Sequence, residues 1–408
     1  MYQYFKEGDY LTWKGDGDFP CEGLVLRMLR ENSRSGTKQT MMAEDIRSGR
    51  KYFLKILFCE DMDRLFVEKE SKVQLYSPYI VRIYGGMLDL DGRRFISLVE
   101  YIDVPDLSNL MRKRETTGET WQEKLRICDR IAMKFLYGIR HYMSCYENDP
   151  IIHRDLKPEN VMAARDGSVV KIIDFDWVHL HDSMITCTLR REQKGTPGYA
   201  DPGCWNSYVC RPEMDIYSAG LVLYFIYTGK HHFFGAEEIN RYMEDADYAC
   251  TLKEMPGFDP ALTRILQKMI APEQVRYHDI ETVIKDMDDY LKEEGRFPDF
   301  PELLTAGHDG DTIRLTYRVG DIKYSPYVRN YRFVPICFGS RQERSMNGPH
   351  SAHILSFYRV GDQIRVLLLH KDCRIVRRQR EHVVTEGDKY LYHDTEIEVI
   401  QIRGKEIG

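Results

Sequence analysis

The sequence predicts an α+β fold in two lobes, followed by a smaller all-β domain. Three observations carry this. Residues 21–102 hold a succession of short apolar runs with the look of strands and one helical stretch. Residues 103–295 hold long, breaker-poor stretches in which apolar residues recur at helical intervals. After the stiff string Phe297-Pro298-Asp299-Phe300-Pro301, Val, Ile, Tyr and Arg alternate and Gly-Asp pairs punctuate them. The divisions expected are an N-terminal extension at 1–20, lobes at 21–102 and 103–295, a linker at 296–311 and a β-rich domain at 312–408. A chain of 408 residues holds two or three domains of ordinary size.

Taken in order, the leading residues are aromatic and rich in Gly and Asp, which suits a short strand or hairpin. Gly23 to Arg30 alternates as a strand, Glu31 to Lys38 reads as a polar turn, and a second strand follows into Ala43. Lys51 to Leu57 reads as a buried strand with one lysine, Lys55, inside it. An unpaired buried charge is costly, so Lys55 needs an anion. A helix is expected over Asp63 to Leu75 and another buried strand over Arg94 to Ile102. Trp121 to Tyr146 places Leu125, Ile127, Ile131, Phe135, Leu136 and Ile139 at helical spacing. Val169 to Ile173 is a short strand. Helical patterns follow at Asp215 to Lys230, Leu262 to Ile270 and Asp279 to Leu291.

Composition bounds the function. With 43% hydrophobic and 30% charged residues the chain can build an ordinary core. A formal net charge of -6 is too mild to argue for a nucleic-acid or membrane surface. The basic run Lys371 to Arg380 reads as a solvated strand face. Ten cysteines are scattered without CxxC spacing, which suggests neither a zinc site nor a redox motif and suits a reducing compartment. The start, MYQYFKEGDY, lacks the pattern of a secretory leader. The longest apolar run, Ile216 to Tyr227, falls short of the ~20 residues that span a bilayer. The expectation is a cytoplasmic protein with no membrane span and no nucleic-acid partner.

The chemistry concentrates in His153-Arg154-Asp155-Leu156-Lys157-Pro158-Glu159-Asn160, answered by Asp174-Phe175-Asp176. Two acids and an amide at this spacing suit phosphoryl transfer, which needs one carboxylate for a hydroxyl proton and further oxygens to hold a metal on phosphates. On these residues the chain resembles the eukaryotic-type (Hanks-type) Ser/Thr protein kinases over roughly residues 20 to 295.

The resemblance implies a bilobal protein-kinase-like fold that uses ATP and magnesium. It implies Asp155 as base, Lys157 beside the transferring phosphate, and Asn160 and Asp174 as metal ligands. Thr196, in Gly195-Thr196-Pro197-Gly198-Tyr199, would bond both Asp155 and Lys157. Lys55 would hold phosphates and pair with Glu68, with Glu70 as second choice. Ser33, Ser35 and Lys38, with Gly36 alongside, stand where the family has its phosphate-covering glycines. Val99 would guard the back of the adenine site, with Glu100 and Ile102 in the following hinge. Asp106 would reach the ribose and Met162 would floor the base.

Departures stand beside these matches. Phe53 occupies the place of an alanine over adenine, Asp176 that of a glycine, and Lys72 that of an apolar helix residue. Arg154 resembles the residue that grips an activation-segment phosphate, and Glu192 could substitute for that phosphate, with Ser183, Thr186 and Thr188 as alternative sites. Gly203 replaces a glutamate, so Arg276 needs another carboxylate. Asp215 would accept backbone N–H bonds from the loop around Asp155.

In the tail, Tyr317-Arg318-Val319-Gly320-Asp321 recurs as Tyr358-Arg359-Val360-Gly361-Asp362, suggesting strand–turn units of a sandwich or small barrel. A regulatory or partner-docking domain follows. A forkhead-associated-like phosphopeptide reader is the analogy that the pairing of kinases with such domains offers, without an Arg/Ser/Asn constellation to carry it. Two functions are expected from the whole. One is a kinase acting on protein hydroxyls, for which Lys55, Asp155, Asn160 and Asp174 argue. The other is a kinase-shaped scaffold that binds partners through its surface and tail, favoured by Phe53, Asp176, Gly203 and the glycine-poor turn.

Overall fold

The computed structural model describes residues 3–14, 16–17, 24–58, 77–89, 93–114, 120–143, 151–175, 195–206 and 211–296. In the tail it describes 313–319, 322–324, 327–328, 333–338, 352–360, 363–368, 373–375, 381–392 and 395–404. Two compact units divide the chain: 1–76 with 82–101 and 300–408, and 77–81 with 102–299.

The first unit opens on a seven-stranded antiparallel sheet. Its strands are β1 (Tyr10–Thr12), β2 (Asp16–Gly17), β3 (Val25–Ser35), β4 (Lys38–Asp45), β5 (Lys51–Phe58), β6 (Ile83–Asp89) and β7 (Arg94–Glu100), ordered β1-β3-β4-β5-β7-β6-β2. Strict alternation in β4 and β5 splits the sheet into two faces. Met41, Ala43, Tyr52, Leu54, Ile56 and Phe58 lie on one and share a core with Leu26, Ile96 and Leu98. Thr40, Met42, Phe53 and Lys55 lie on the other, half-buried.

Residues 3–14 strap the apolar face. Phe5 and Trp13 are buried in its core. Gln39, wholly buried, accepts from the Phe5 N–H at 3.0 Å and donates to the Phe5 carbonyl at 2.7 Å. Backbone bonds from Gly8 and Trp13 to Met28 and Leu24 extend the attachment. A fully buried Gln is stable there because both ends of its amide are satisfied.

In the second unit the helices are α1 (Leu107–Arg114), α2 (Trp121–Met143), α3 (Gly203–Asn206), α4 (Pro212–Thr228), α5 (Ala236–Glu244), α6 (Ala246–Ala249), α7 (Pro260–Ile270) and α8 (Ile280–Glu293). A two-stranded ribbon, β8 (Val161–Ala163) with β9 (Val170–Ile172), joins them. The helix centred on Ile216 to Tyr227, α4, is buried from Asp215 to Tyr227 and packs against α2 and α7. Being apolar all round, it is a core helix. Pro212 starts it and Gly229, at φ 69°, ends it in the left-handed conformation. Asp259 and Asp279 cap α7 and α8 through the N–H groups of Ala261 and Thr282. Gly220 lets α4 approach α7, since a Cβ there would lie 2.8 Å from both Met269 and Ile270.

The tail has two antiparallel sheets. One contains β10 (Ile313–Val319), β11 (Ile322–Tyr324), β12 (Tyr327–Val328), β16 (Cys373–Ile375), β18 (Lys389–Tyr392) and β19 (Thr395–Gly404), the other β13 (Phe333–Phe338), β14 (Ala352–Val360), β15 (Gln363–Leu368) and β17 (Glu381–Val383). Leu315, Tyr317, Tyr390, Ile397 and Val399 from the first share one core with Phe357, Ile364 and Val366 from the second, which makes a sandwich. Both copies of the repeated Tyr-Arg-Val end strands at hairpins, with Val319 opposite Ile322 and Val360 opposite Gln363. The repeat is therefore shared hairpin chemistry.

One sequence expectation is corrected. Glu31 to Lys38 is no extended turn: β3 runs through Ser35 and β4 starts at Lys38, leaving Gly36-Thr37 as the turn. Alternating polar residues satisfied by cross-strand pairing, including Ser33 opposite Thr40, continue the ladder where composition suggested a loop. The helix expected over Trp121 to Tyr146 is described over Trp121–Met143, and 144–150 lie outside the described residues.

Candidate active site

The loop after α2 is held by a buried carboxylate. Asp215, with no exposure, accepts from the backbone N–H of His153 at 2.6 Å and Arg154 at 2.9 Å, and from the Tyr142 hydroxyl at 2.8 Å. Burial pushes the Asp215 carboxyl above its ordinary value, while His153 and these donors pull it back. The clamp matters because Arg154 stands at φ 70°, a conformation that costs a non-glycine residue about 1–3 kcal/mol. Asp174 stands at the same φ. His153 joins the two stretches: its Nε2 lies 2.9 Å from the Ile173 carbonyl, and its ring packs edge-on against Phe175 at 4.7 Å.

On this frame the Asp155 carboxylate is engaged at both oxygens. Oδ1 accepts from the Thr196 hydroxyl at 2.7 Å, and Oδ2 accepts from Lys157 Nζ at 2.8 Å and Asn160 Nδ2 at 3.1 Å. Lys157 Nζ also donates to Thr196 Oγ1 at 2.8 Å, closing a triangle. Gly195, at φ 110°, permits the approach of Thr196, since a Cβ there would meet Ala200 at 2.6 Å and the Arg154 carbonyl at 3.1 Å. Asn160 spends its amide nitrogen on Asp155 and accepts at its backbone from Ile173 N–H at 2.9 Å, which sets Asp174 next in the chain beyond this bond. Its side-chain carbonyl oxygen remains an acceptor.

The amide oxygen of Asn160 and the carboxylate of Asp174 are hard-oxygen donors of the kind that suits magnesium, an ion that keeps most of its coordination for water and phosphate. The donor set thus fits the metal. No cluster of three His, Cys, Asp or Glu side chains with metal-binding geometry occurs among the described residues.

The other site residues divide between the units. In the second, Asp106 caps α1, its carboxylate accepting from Asn109 N–H at 2.9 Å and Asn109 Nδ2 at 2.5 Å. Its backbone bridges that of Met162 on β8. Ile102 lies half-buried ahead of it. In the first, Lys55 stands in a row with Thr40 and Ser97, and Phe53 in a row with Met42 and Val99. Glu100 accepts from the Arg82 N–H at 3.0 Å. Ser33 and Ser35 are exposed residues of β3, Gly36 lies in the turn, and Lys38 opens β4. Glu68, Glu70 and Lys72 lie outside the described residues, as do Asp176, Ser183, Thr186, Thr188 and Glu192.

Arg276 finds its carboxylate in Asp201. The pair is buried, and Arg276 also donates to the Ala271 carbonyl at 2.9 Å and the Glu213 carbonyl at 3.1 Å. Sequence reading named the need but missed the partner, although Asp201 stands two residues before Gly203. Tyr142 and Gln39 were missed as well. A polar side chain inside an apolar pattern was the signal each offered.

Comparison with known proteins shows the family. The protein kinase domain family model matches residues 39–286, more than half of the chain. The probable serine/threonine-protein kinase PknB of Bifidobacterium longum is 30% identical over 216 residues, covering 50% of this chain and 30% of that protein. Mouse serine/threonine-protein kinase Nek5 is 30% identical over 47% of this chain and 28% of its own length. Arabidopsis thaliana Aurora-1 is 26% identical over 57% of this chain and 75% of its own. The chain thus spans about a third of the length of the first two relatives. Among the described residues no helix is long and apolar enough to cross a membrane. With the loop around Asp155 held by a buried aspartate and the family model matched over more than half of the chain, the chain belongs to the protein kinase domain family, on the eukaryotic-type Ser/Thr side to which these relatives belong.

Proposed function

We propose that the protein transfers the γ-phosphate of ATP to Ser or Thr hydroxyls of protein substrates. The observation that supports this best is the closed Asp155–Thr196–Lys157 triangle with Asn160 bonded to its corner. A carboxylate locked by three donors is pre-oriented, and Oδ1, with one bond made, retains a lone pair for the acceptor hydroxyl's proton. Lys157, already beside that carboxylate, supplies positive charge to the transferring phosphoryl group. Asn160 and Asp174 are the residues proposed to hold magnesium, which when bound offsets the phosphates' charge. Lys55 is proposed to hold the α- and β-phosphates with Glu68. Val99, Glu100, Ile102, Asp106 and Met162 are proposed to receive the nucleoside, and Ser33, Ser35, Gly36 and Lys38 to cover its phosphates.

A second reading, a scaffold that binds without catalysis, draws its support from Phe53, which shares a row with Val99 on the face that carries Lys55. A ring there competes for the space of an adenine. Under either reading the tail sandwich is a proposed docking domain for a protein or phosphopeptide partner. Transfer from radiolabelled ATP to the protein itself and to a basic acceptor protein, wild type beside Asp155→Asn, separates the two. The kinase reading expects the variant to lose about 10²–10⁴-fold in rate with unchanged folding. Equal labelling by both proteins would sink it.

A further inference from the structure

An open groove of about 480 Å³ lies along the exposed side of α7 in the second unit, far in sequence from the residues of the active site. Its floor is the helix face that carries Thr263, Arg264, Gln267 and Lys268. The opposite face, Leu262, Ile265, Leu266, Met269 and Ile270, is buried, so the floor cannot turn.

Both walls are pinned. Gln267 accepts from the Leu252 N–H at 2.8 Å and donates to the Cys250 carbonyl at 2.9 Å, fixing the extended stretch at 250–254. The Lys253 N–H donates to His232 Nε2 at 2.8 Å, and its ammonium is taken by Glu238. The turn at 271–275 is held by buried Arg276 through the Ala271 carbonyl. A groove with a rigid floor and tied walls loses little freedom when filled.

The lining is mostly apolar, from Leu252, Ala271, Val275 and the stems of the long side chains, and Val275 is 61% exposed. Over this strip stand two cations. Arg264 and Lys268 occupy successive turns of one helix face, both exposed, and no ion pair engages either among the described residues. Lys268 lies 4.0 Å from the centre of the Tyr277 ring, a contact that leaves its charge uncancelled. Glu254 is the lining's one carboxylate. Two like charges one turn apart repel each other in the free protein. An anionic occupant would reverse that.

We infer that this groove docks an acidic, leucine-bearing segment of a partner protein, the carboxylates reaching Arg264 and Lys268 and the leucines lying against Leu252, Ala271 and Val275. The lining has no aromatic ring on which a base could stack and no track of cations, which sets a protein segment above a nucleic acid. The inference goes beyond the kinase reading and does not depend on it.

Binding to the full chain tests it directly, with no catalysis required. The probe is a short fluorescein-labelled peptide of alternating Glu and Leu, read by anisotropy. Wild type should bind it, and Arg264→Glu with Lys268→Glu should weaken binding by about tenfold or more. Val275→Ser should weaken it by about threefold or more through lost apolar contact. All the substituted side chains are exposed, and matching thermal unfolding checks that each variant folds. Absence of binding below millimolar peptide overturns the proposal, as does equal binding by the charge variant. A charge effect without a Val275 effect also overturns it, by reducing the groove to general attraction. So does a labelled oligonucleotide that binds as tightly as the peptide and loses as much in the charge variant.

Discussion

Asp129 is almost wholly buried inside α2, with the Tyr227 hydroxyl donating to it at 3.0 Å and the Arg296 guanidinium 3.5 Å away as an ion-pair partner. Burial pushes its pKa up to about 6, against 3.8 for a free carboxyl, and Arg296 recovers only part of the cost. Between about pH 4 and 6 the native state therefore keeps a proton that the unfolded chain has released. Stability from this group falls as pH rises through that window and is level above it. Asp129→Asn should remove this group's share of the slope. Urea unfolding at several pH values should show wild type losing on the order of 2–3 kcal/mol relative to the variant across the window. The buried Arg276–Asp201 pair makes a different prediction. Asp201→Ala leaves a guanidinium without its counter-charge and should cost about 3–5 kcal/mol, seen as a lowered Tm. Arg276→Met added to it should restore part of the loss. The requirement for this carboxylate was legible, since a family arginine had lost its glutamate at Gly203. The choice of Asp201 was not, because only the fold brings residues 75 apart in sequence into contact.

At the scale of elements, the strap at residues 3–14 shows what local pattern leaves open. Its aromatic, Gly/Asp-rich composition suited a strand, and β1 is one. Nothing in the segment itself says that Phe5 and Trp13 enter the core of a sheet, or that a glutamine 34 residues on will hold Phe5 by both its backbone groups. Gln39→Leu should strand the Phe5 N–H and carbonyl without partners, at about 1–3 kcal/mol each. The expected outcome is faster hydrogen exchange at Gly8 and Trp13 and faster proteolysis within the strap. Unchanged exchange would show that Trp13 alone anchors it. Helices read more easily than this hairpin region. Each of α4, α7 and α8 carries its own stop and start residues, Pro212, Gly229, Asp259 and Asp279 among them. The β3–β4 hairpin carries polar residues on both strands, so its composition imitated a loop.

At the scale of the whole molecule, the tail closes its own core from two sheets. Phe357 is fully buried there, with Tyr317 at 5.4 Å and Tyr390 at 5.9 Å between ring centres. Phe357→Ala should cost about 3–5 kcal/mol of the tail's stability and raise exchange in β10, β14 and β15. Those strands belong to both sheets, so joint loosening would show that the sandwich melts as one piece. Loosening of β14 and β15 alone would contradict it. The alternation of apolar residues announced strands here, but their pairing crosses the sequence: β10 lies beside β19. Partner strands far apart in the chain leave no local trace.

The chain by itself determined the motif of the loop around Asp155 and the helix and strand periods, because each is written in residues close together. Tertiary structure decided which carboxylate meets Arg276 and that Gln39 holds the Phe5 backbone, and it made the contacts of Asp215 with the Arg154 backbone and of Thr196 with Asp155 and Lys157 that the resemblance implied. Those contacts join residues tens of positions apart, and their energy exists only once burial has removed the water that would otherwise compete for the same hydrogen bonds.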